Sequence, residues 1–142
     1  MNDDPFELVG ELREAAAELV TAVSEPWVFH VLGQPVPKGR PRFDPRSRRA
    51  YTPKRTRAYE ETIAGIGTIR RPPRWPLGAE YEVELAIFNG TKLARDGTNI
   101  LKSVEDALNG IAWHDDKQIR RATWSDSLDR NNPRVEITIT VL

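Results

Sequence analysis

Four aspartates and two lysines stand within one short run, Arg95 to Ile119, RDGTNILKSVEDALNGIAWHDDKQI. Asp96 opens it beside a glycine, Lys102 stands between, and the adjacent Asp115 and Asp116 close it. Carboxylates are the oxygen donors that hard divalent cations prefer, and Mg²⁺ takes one or two of them while keeping waters and substrate phosphate oxygens. A lysine among them can neutralise a phosphate in the transition state or help to activate an attacking water. The pattern therefore points to a carboxylate site built around a lysine. The plainer reading stays open: Asp96 or Thr98 caps a helix, and Asp115-Asp116 lies in an exposed turn.

Other chemistries are narrowed by composition. There is no cysteine, which removes disulfides, thiolate zinc sites and cysteine nucleophiles. The two histidines, His30 and His114, are too far apart in sequence to suggest a His-rich metal site. With 142 residues, 39% hydrophobic and 30% charged, the chain is expected to form one globular domain. Its acidic N-terminus lacks an apolar run with basic flanks, so it does not read as a signal peptide. No stretch approaches the length of a membrane-spanning helix. A cytoplasmic protein without a membrane partner is the expectation.

The net charge of zero conceals a strong asymmetry. Residues 1–25 carry seven acids against Arg13, whereas residues 38–74 carry twelve Lys or Arg against Asp44, Glu60 and Glu61. Charge distribution is the better guide to partners. The basic residues begin in GQPVPKGRPRFDPRSRR, whose four prolines and two glycines predict a loop with no regular element. A charge run is often only a solvated surface, but Pro and Gly here hold the backbone extended and the cationic side chains splayed. That arrangement suits contact with phosphates. Lys38, Arg40, Arg42, Arg55 and Arg95 are the candidate DNA-binding residues.

The elements that must position these groups follow from periodicity. Residues 5–23 predict a helix, with Asp4 at the N-cap, Pro5 in the first turn, and an apolar stripe of Leu8, Leu12, Ala15, Leu19 and Val23. Such a helix either packs on the domain or a second subunit, or acts as an acidic arm competing with nucleic acid for the basic segment. Trp27–Leu32 reads as a strand with His30 as a packed residue. Thr52 and Pro53 predict the start of a helix running to about Thr68, with Tyr59, Ile63 and Ile66 inward. Residues 70–78 form a Pro-rich connector. Tyr81–Ile87 alternates as a half-buried strand, ended by an Asn89-Gly90 turn. In the central run, Ile100, Val104, Ala107, Leu108 and Ile111 share one helical face. Ile119–Trp124 and Val135–Val141 complete the strands. This order predicts an α+β domain with a mixed or antiparallel sheet and packed helices, residues 26–142, preceded by an acidic N-terminal helix, residues 1–25.

The run D-x-x-N-x-x-K (Asp96, Asn99, Lys102), then DALNG (Asp106–Gly110) and DDKQI (Asp115–Ile119), resembles the RusA-type Holliday junction resolvases, small endonucleases common in phages and prophages. GQPVPKGRPRF (Gly33–Phe43) and YTPKRTRAYEE (Tyr51–Glu61) resemble the same family, and the likeness runs from about Trp27 to the C-terminus. It implies a homodimer that binds four-way DNA junctions and cuts symmetrically with Mg²⁺ or Mn²⁺. It also implies roles: Asp96 as the first acid of a DxDN motif, Lys102 as its lysine, Asp116 as the catalytic aspartate of the DD pair, and Asp115 as a further metal ligand. In-line attack by a metal-activated water on the scissile phosphodiester is the implied mechanism.

One position departs from the motif. Where its second acid is expected, this chain has Thr98, whose hydroxyl is a poor substitute for a carboxylate ligand. Thr98, Lys102 and Glu105 are spaced i, i+4, i+7, so Glu105 projects from nearly the angular position of Thr98 two turns on. Glu105, with Asp106 second in line, is the candidate replacement; a surface Glu pairing with Lys102 is the plain alternative. Three other functions remain open: a non-catalytic junction-binding protein with a degraded metal site, a nuclease for other branched DNA, and a protein-interaction module using the acidic helix.

Overall fold

A computed structural model describes residues 5–92 and 96–142, with the backbone alone over 15–24. The elements run α1 (Pro5–Ser24), β1 (Trp27–Leu32), β2 (Arg42–Asp44), β3 (Arg49–Tyr51), α2 (Lys54–Arg70), β4 (Tyr81–Asn89), α3 (Gly97–Ala107), β5 (Ile119–Leu128) and β6 (Arg134–Val141), with a short 3-10 turn at Asp116–Gln118. The protein is thus an α+β domain with an additional N-terminal helix. Its main sheet has the order β1-β6-β4-β5. β6 is antiparallel to both β1 and β4, while β4 and β5 are parallel, so the sheet is mixed. Parallel neighbours need a crossover, and α3 supplies it.

Alternation along the strands decides which face is covered. β4 buries Tyr81, Val83, Leu85, Ile87 and Asn89, and β6 buries Val135, Ile137 and Ile139. Against that face pack Tyr59 and Ile63 of α2 and Ile100, Val104 and Ala107 of α3. An aromatic chain reinforces the core: Trp27 meets Trp75, Trp75 stacks on Tyr81, and Tyr81 tilts against Trp113. The Trp75 indole donates to the Ala112 carbonyl at 2.8 Å, and Trp113 donates to Asn109 Oδ1 at 2.9 Å. Both bonds fasten the chain that leaves α3.

That exit departs from the expected helix. α3 stops at Ala107, so Ile111 lies in the following turn instead of on the helical face. Leu108 still donates to the Val104 carbonyl, and then Gly110 adopts φ +82° and donates to the Trp113 carbonyl at 2.7 Å. Gly110 permits this because its missing Cβ removes the steric penalty of positive φ. The chain thereby turns back while Leu108, Ala112 and Trp113 stay buried.

The basic segment also departs from expectation, because part of it is regular. β2 and β3 form a two-stranded hairpin, pairing Arg42 with Tyr51, Phe43 with Ala50, and Asp44 with Arg49. Asp44 organises its turn: its carboxylate accepts from the Arg46 N–H at 2.9 Å and the Ser47 hydroxyl at 3.1 Å, and its carbonyl accepts from Arg48. α2 begins at Lys54, with Pro53 at the N-cap and no side-chain cap, so Thr52 does not fill the capping role. β5 extends four residues beyond the expected Trp124, and nearly all of it is exposed. On α1, the described side chains Leu8, Val9 and Leu12 are exposed, so this part of its stripe does not pack on the domain. The expected Asp4 cap lies outside the described residues. Truncating Trp113 removes the largest fully buried side chain of the turn; Trp113→Ala is expected to lower unfolding free energy by about 3–5 kcal/mol in denaturant titration.

Candidate active site

The site begins with the geometry of α3. Its apolar face is buried, and Lys102, Glu105 and Asp106 emerge from the opposite side. Because the chain turns back at residues 108–113, Asp116 arrives beside the middle of this helix. Lys102 Nζ donates to Asp116 Oδ2 at 2.9 Å and stands 3.3 Å from Asp106 Oδ1. One ammonium thus sits between two carboxylates contributed by different elements.

Asp106 continues the network. Its Oδ2 is 3.1 Å from Lys38 Nζ, which also donates to Glu60 Oε1 at 2.5 Å. The result is an alternating line of charge, Glu60–Lys38–Asp106–Lys102–Asp116, joining α2, the basic loop, α3 and the turn before β5. The hydrogen bond to Asp116 holds the Lys102 pKa well above its ordinary value, against the opposing effect of burial. The same bond lowers the Asp116 pKa. For Lys38, burial works against the charge, but its bonds to Glu60 and Asp106 outweigh it, and its pKa rises. Glu105 is half-buried near the same charges; desolvation pushes its pKa up, and Lys102 opposes that shift.

The expected site residues are therefore not all brought together. Lys102 and Asp116 meet, with Asp106 in contact and Glu105 alongside. Asp96 occupies the N-cap position of α3 without making a cap bond, and its exposed carboxylate accepts from Asn99 Nδ2 at 2.8 Å. The return of the chain places Asp116 beside Lys102. Asp115 Oδ1 accepts from the Lys117 N–H at 2.9 Å and caps the 3-10 turn. Thr98 is exposed. Among the described residues, no three His, Asp or Glu side chains converge on one cation position.

The cationic residues divide in the same way. Arg40, Arg42 and Arg55 line one open groove with Pro41, Pro53 and Thr56. Lys38, expected among the phosphate contacts, is engaged by two carboxylates, and its side chain is only 20% exposed. Arg95 lies outside the described residues.

Several positioning residues had gone unread in the sequence. Glu60 carried no periodic signal for a site 46 residues downstream. Gln118 accepts from the His114 and Asp115 N–H groups and donates to the Leu77 and Ala79 carbonyls, fixing the turn that carries Asp116. Gly97 is required by Trp124: a Cβ there would lie 2.4 Å from the indole. The Asp96-Gly97 dipeptide was the available signal for that close approach.

Fold and site define a small α+β domain that sets an acid–lysine cluster beside a cationic hairpin, a class suited to handling a nucleic-acid backbone. The family described as Endodeoxyribonuclease RusA matches residues 33–140, and the chain belongs to that family. α1 and β1 precede the matched span. No curated protein matches the chain. Membership of an endodeoxyribonuclease family supports nuclease activity. No helix among the described residues is long and apolar enough to cross a membrane.

The Lys102–Asp116 link has a definite pH signature. Asp116, with its lowered pKa, contributes stability that is present above about pH 4 and lost as pH falls through the depressed value. Lys102, with its raised pKa, contributes below about pH 10.4 and loses its contribution as pH rises through the elevated value. In metal-free protein followed by carbon NMR, the Asp116 carboxyl is expected to titrate below the ordinary aspartate range, and Lys102→Met should move its midpoint upward.

Proposed function

We propose that the chain is a Mg²⁺- or Mn²⁺-dependent, structure-specific endonuclease that resolves four-way DNA junctions in recombination and repair. The observation that carries this reading is the Lys102 ammonium between Asp106 and Asp116, beside the Arg40–Arg42–Arg55 groove, in a chain of the RusA family. The donor set suits such an ion, because Mg²⁺ needs only one or two carboxylates and completes its shell with waters and phosphate oxygens. Asp116 would hold it, with Glu105 as the adjacent helix carboxylate. Asp96 joins the assignment on the strength of its motif, and Asp115 is the further candidate beside Asp116. When bound, the ion would supply Lewis acidity toward the scissile phosphodiester.

The side chains account for the remaining work. Lys102 stays charged through neutral pH and is available to offset negative charge growing on the phosphoryl oxygens. Asp116, held ionised by that lysine, keeps the ammonium oriented. Arg40, Arg42 and Arg55, with Arg95, would hold flanking phosphates, which makes binding steeply salt-dependent. Symmetric cutting requires two sites, and an isologous dimer would present them to opposite arms. Thr98, exposed and without a carboxylate, favours one second reading, a junction binder that does not cut.

Labelled four-way, three-way and linear DNA incubated with and without Mg²⁺ separates these readings. Cleavage of the four-way junction only with metal, reduced on the order of 100-fold or more in Asp116→Asn and Asp96→Asn, is the expected result. Metal-dependent cleavage of other branched DNA instead would narrow the proposal to a nuclease of different specificity. Binding without cleavage would establish the second reading, and absence of DNA affinity at moderate salt would overturn both.

A further inference from the structure

We propose that Lys38 and Glu60 are positioning residues for the Lys102–Asp116 pair, acting through Asp106. The proposal rests on the division of labour within the Asp106 carboxylate. Oδ2 faces Lys38 at 3.1 Å, while Oδ1 faces Lys102 at 3.3 Å. With both oxygens occupied by different ammonium groups, the carboxylate has one favoured orientation. Lys102 is then shared between Asp106 and Asp116. Without Lys38, the Asp106 carboxylate loses its second tether and is free to rotate, so Lys102 loses a fixed partner and is held less firmly between Asp106 and Asp116.

Glu60 completes the constraint. Lys38 has a long, flexible side chain, and Asp106 alone would leave it one partner. Glu60 on α2 supplies the second and pins the ammonium between the two helices. Lys38 and Glu60 side chains are 20% and 19% exposed, against 47% for Lys102, so their pairing is the less screened end of the line.

The backbone around Lys38 is anchored independently of its charge. Its N–H donates to the Asn99 carbonyl at 2.9 Å, Gly39 N–H donates to Thr56 Oγ1 at 3.0 Å, and Ser103 Oγ donates to the Val36 carbonyl at 3.2 Å. Removing the ammonium should therefore leave the loop seated on α2 and α3. The remaining basic residues of the loop, beginning with Arg40, are exposed. The segment thus has two functions: its root orders the acid–lysine cluster, and its outer part is available to phosphates.

Two measurements on Lys38→Met and Glu60→Gln test this. The first is independent of nuclease activity: the rate at which acetic anhydride labels Lys102 in the metal-free full chain, read by mass spectrometry. Labelling is expected to rise several-fold in both variants at unchanged melting temperature, with Lys38→Arg restoring protection. The second rests on the junction-nuclease reading: single-turnover cleavage of a four-way junction, with the dissociation constant and its salt dependence measured in parallel. A positioning role predicts cleavage slowed about tenfold with affinity and salt slope unchanged. If Lys38→Met instead weakens junction binding, lowers the salt slope by about one and leaves Lys102 labelling unchanged, Lys38 is a phosphate contact and the proposal is overturned. Should wild-type protein cut no junction, the nuclease reading fails, and the labelling result alone still decides the positioning claim.

Discussion

The burial of Trp113 is the constraint on which the rest depends. Its indole is wholly enclosed, packed on Tyr81 and tied to Asn109, and this closes the chain on itself immediately after α3. A helix that continued through Ile111 would carry Trp113 away from that pocket. Gly110 makes the early stop possible by taking a backbone conformation that other residues resist. From there Gln118 ties the returning segment to the Leu77–Ala79 connector, so Asp116 reaches Lys102 from a fixed direction. Core packing thus sets the geometry of the site.

The site is a shared cation more than a cluster of acids. Grouping Asp106, Asp116 and Glu105 without Lys102 would place like charges together at an energetic cost. The lysine removes much of that repulsion, as the opposed shifts of Lys102 and Asp116 reflect. Lys38 plays the same part between Glu60 and Asp106. Alternation of sign lets carboxylates gather near the surface with less mutual repulsion.

Much of this was legible in the residues. The Asp96, Lys102 and Asp116 motifs lead to the family, and Trp27–Leu32 and the alternation from Tyr81 yield strands at nearly their observed bounds. The β2–β3 hairpin escaped because its strands have three residues each and no apolar alternation; its cause is the Asp44 turn, hidden among arginines. Apolar spacing suggested that Ile111 was helical, although Asn109-Gly110 marked the end. Glu60 and Lys38 were not legible as a pair, because they come together only after α2 and α3 pack and no local period encodes it. Helical spacing placed Glu105 near Lys102, where it lies, and Asp106, second in line as a substitute for the acid missing at Thr98, touches the lysine together with Asp116.

The central claim is that Lys102 and Asp116 act as one unit in phosphodiester cleavage. A double-mutant cycle on metal-dependent, single-turnover cleavage of a four-way junction tests it most directly, using Lys102→Met, Asp116→Asn and their combination. Residues acting as a unit lose their effects non-additively. The account predicts that the double variant is about as slow as the slower single variant. Losses that multiply in full would contradict it.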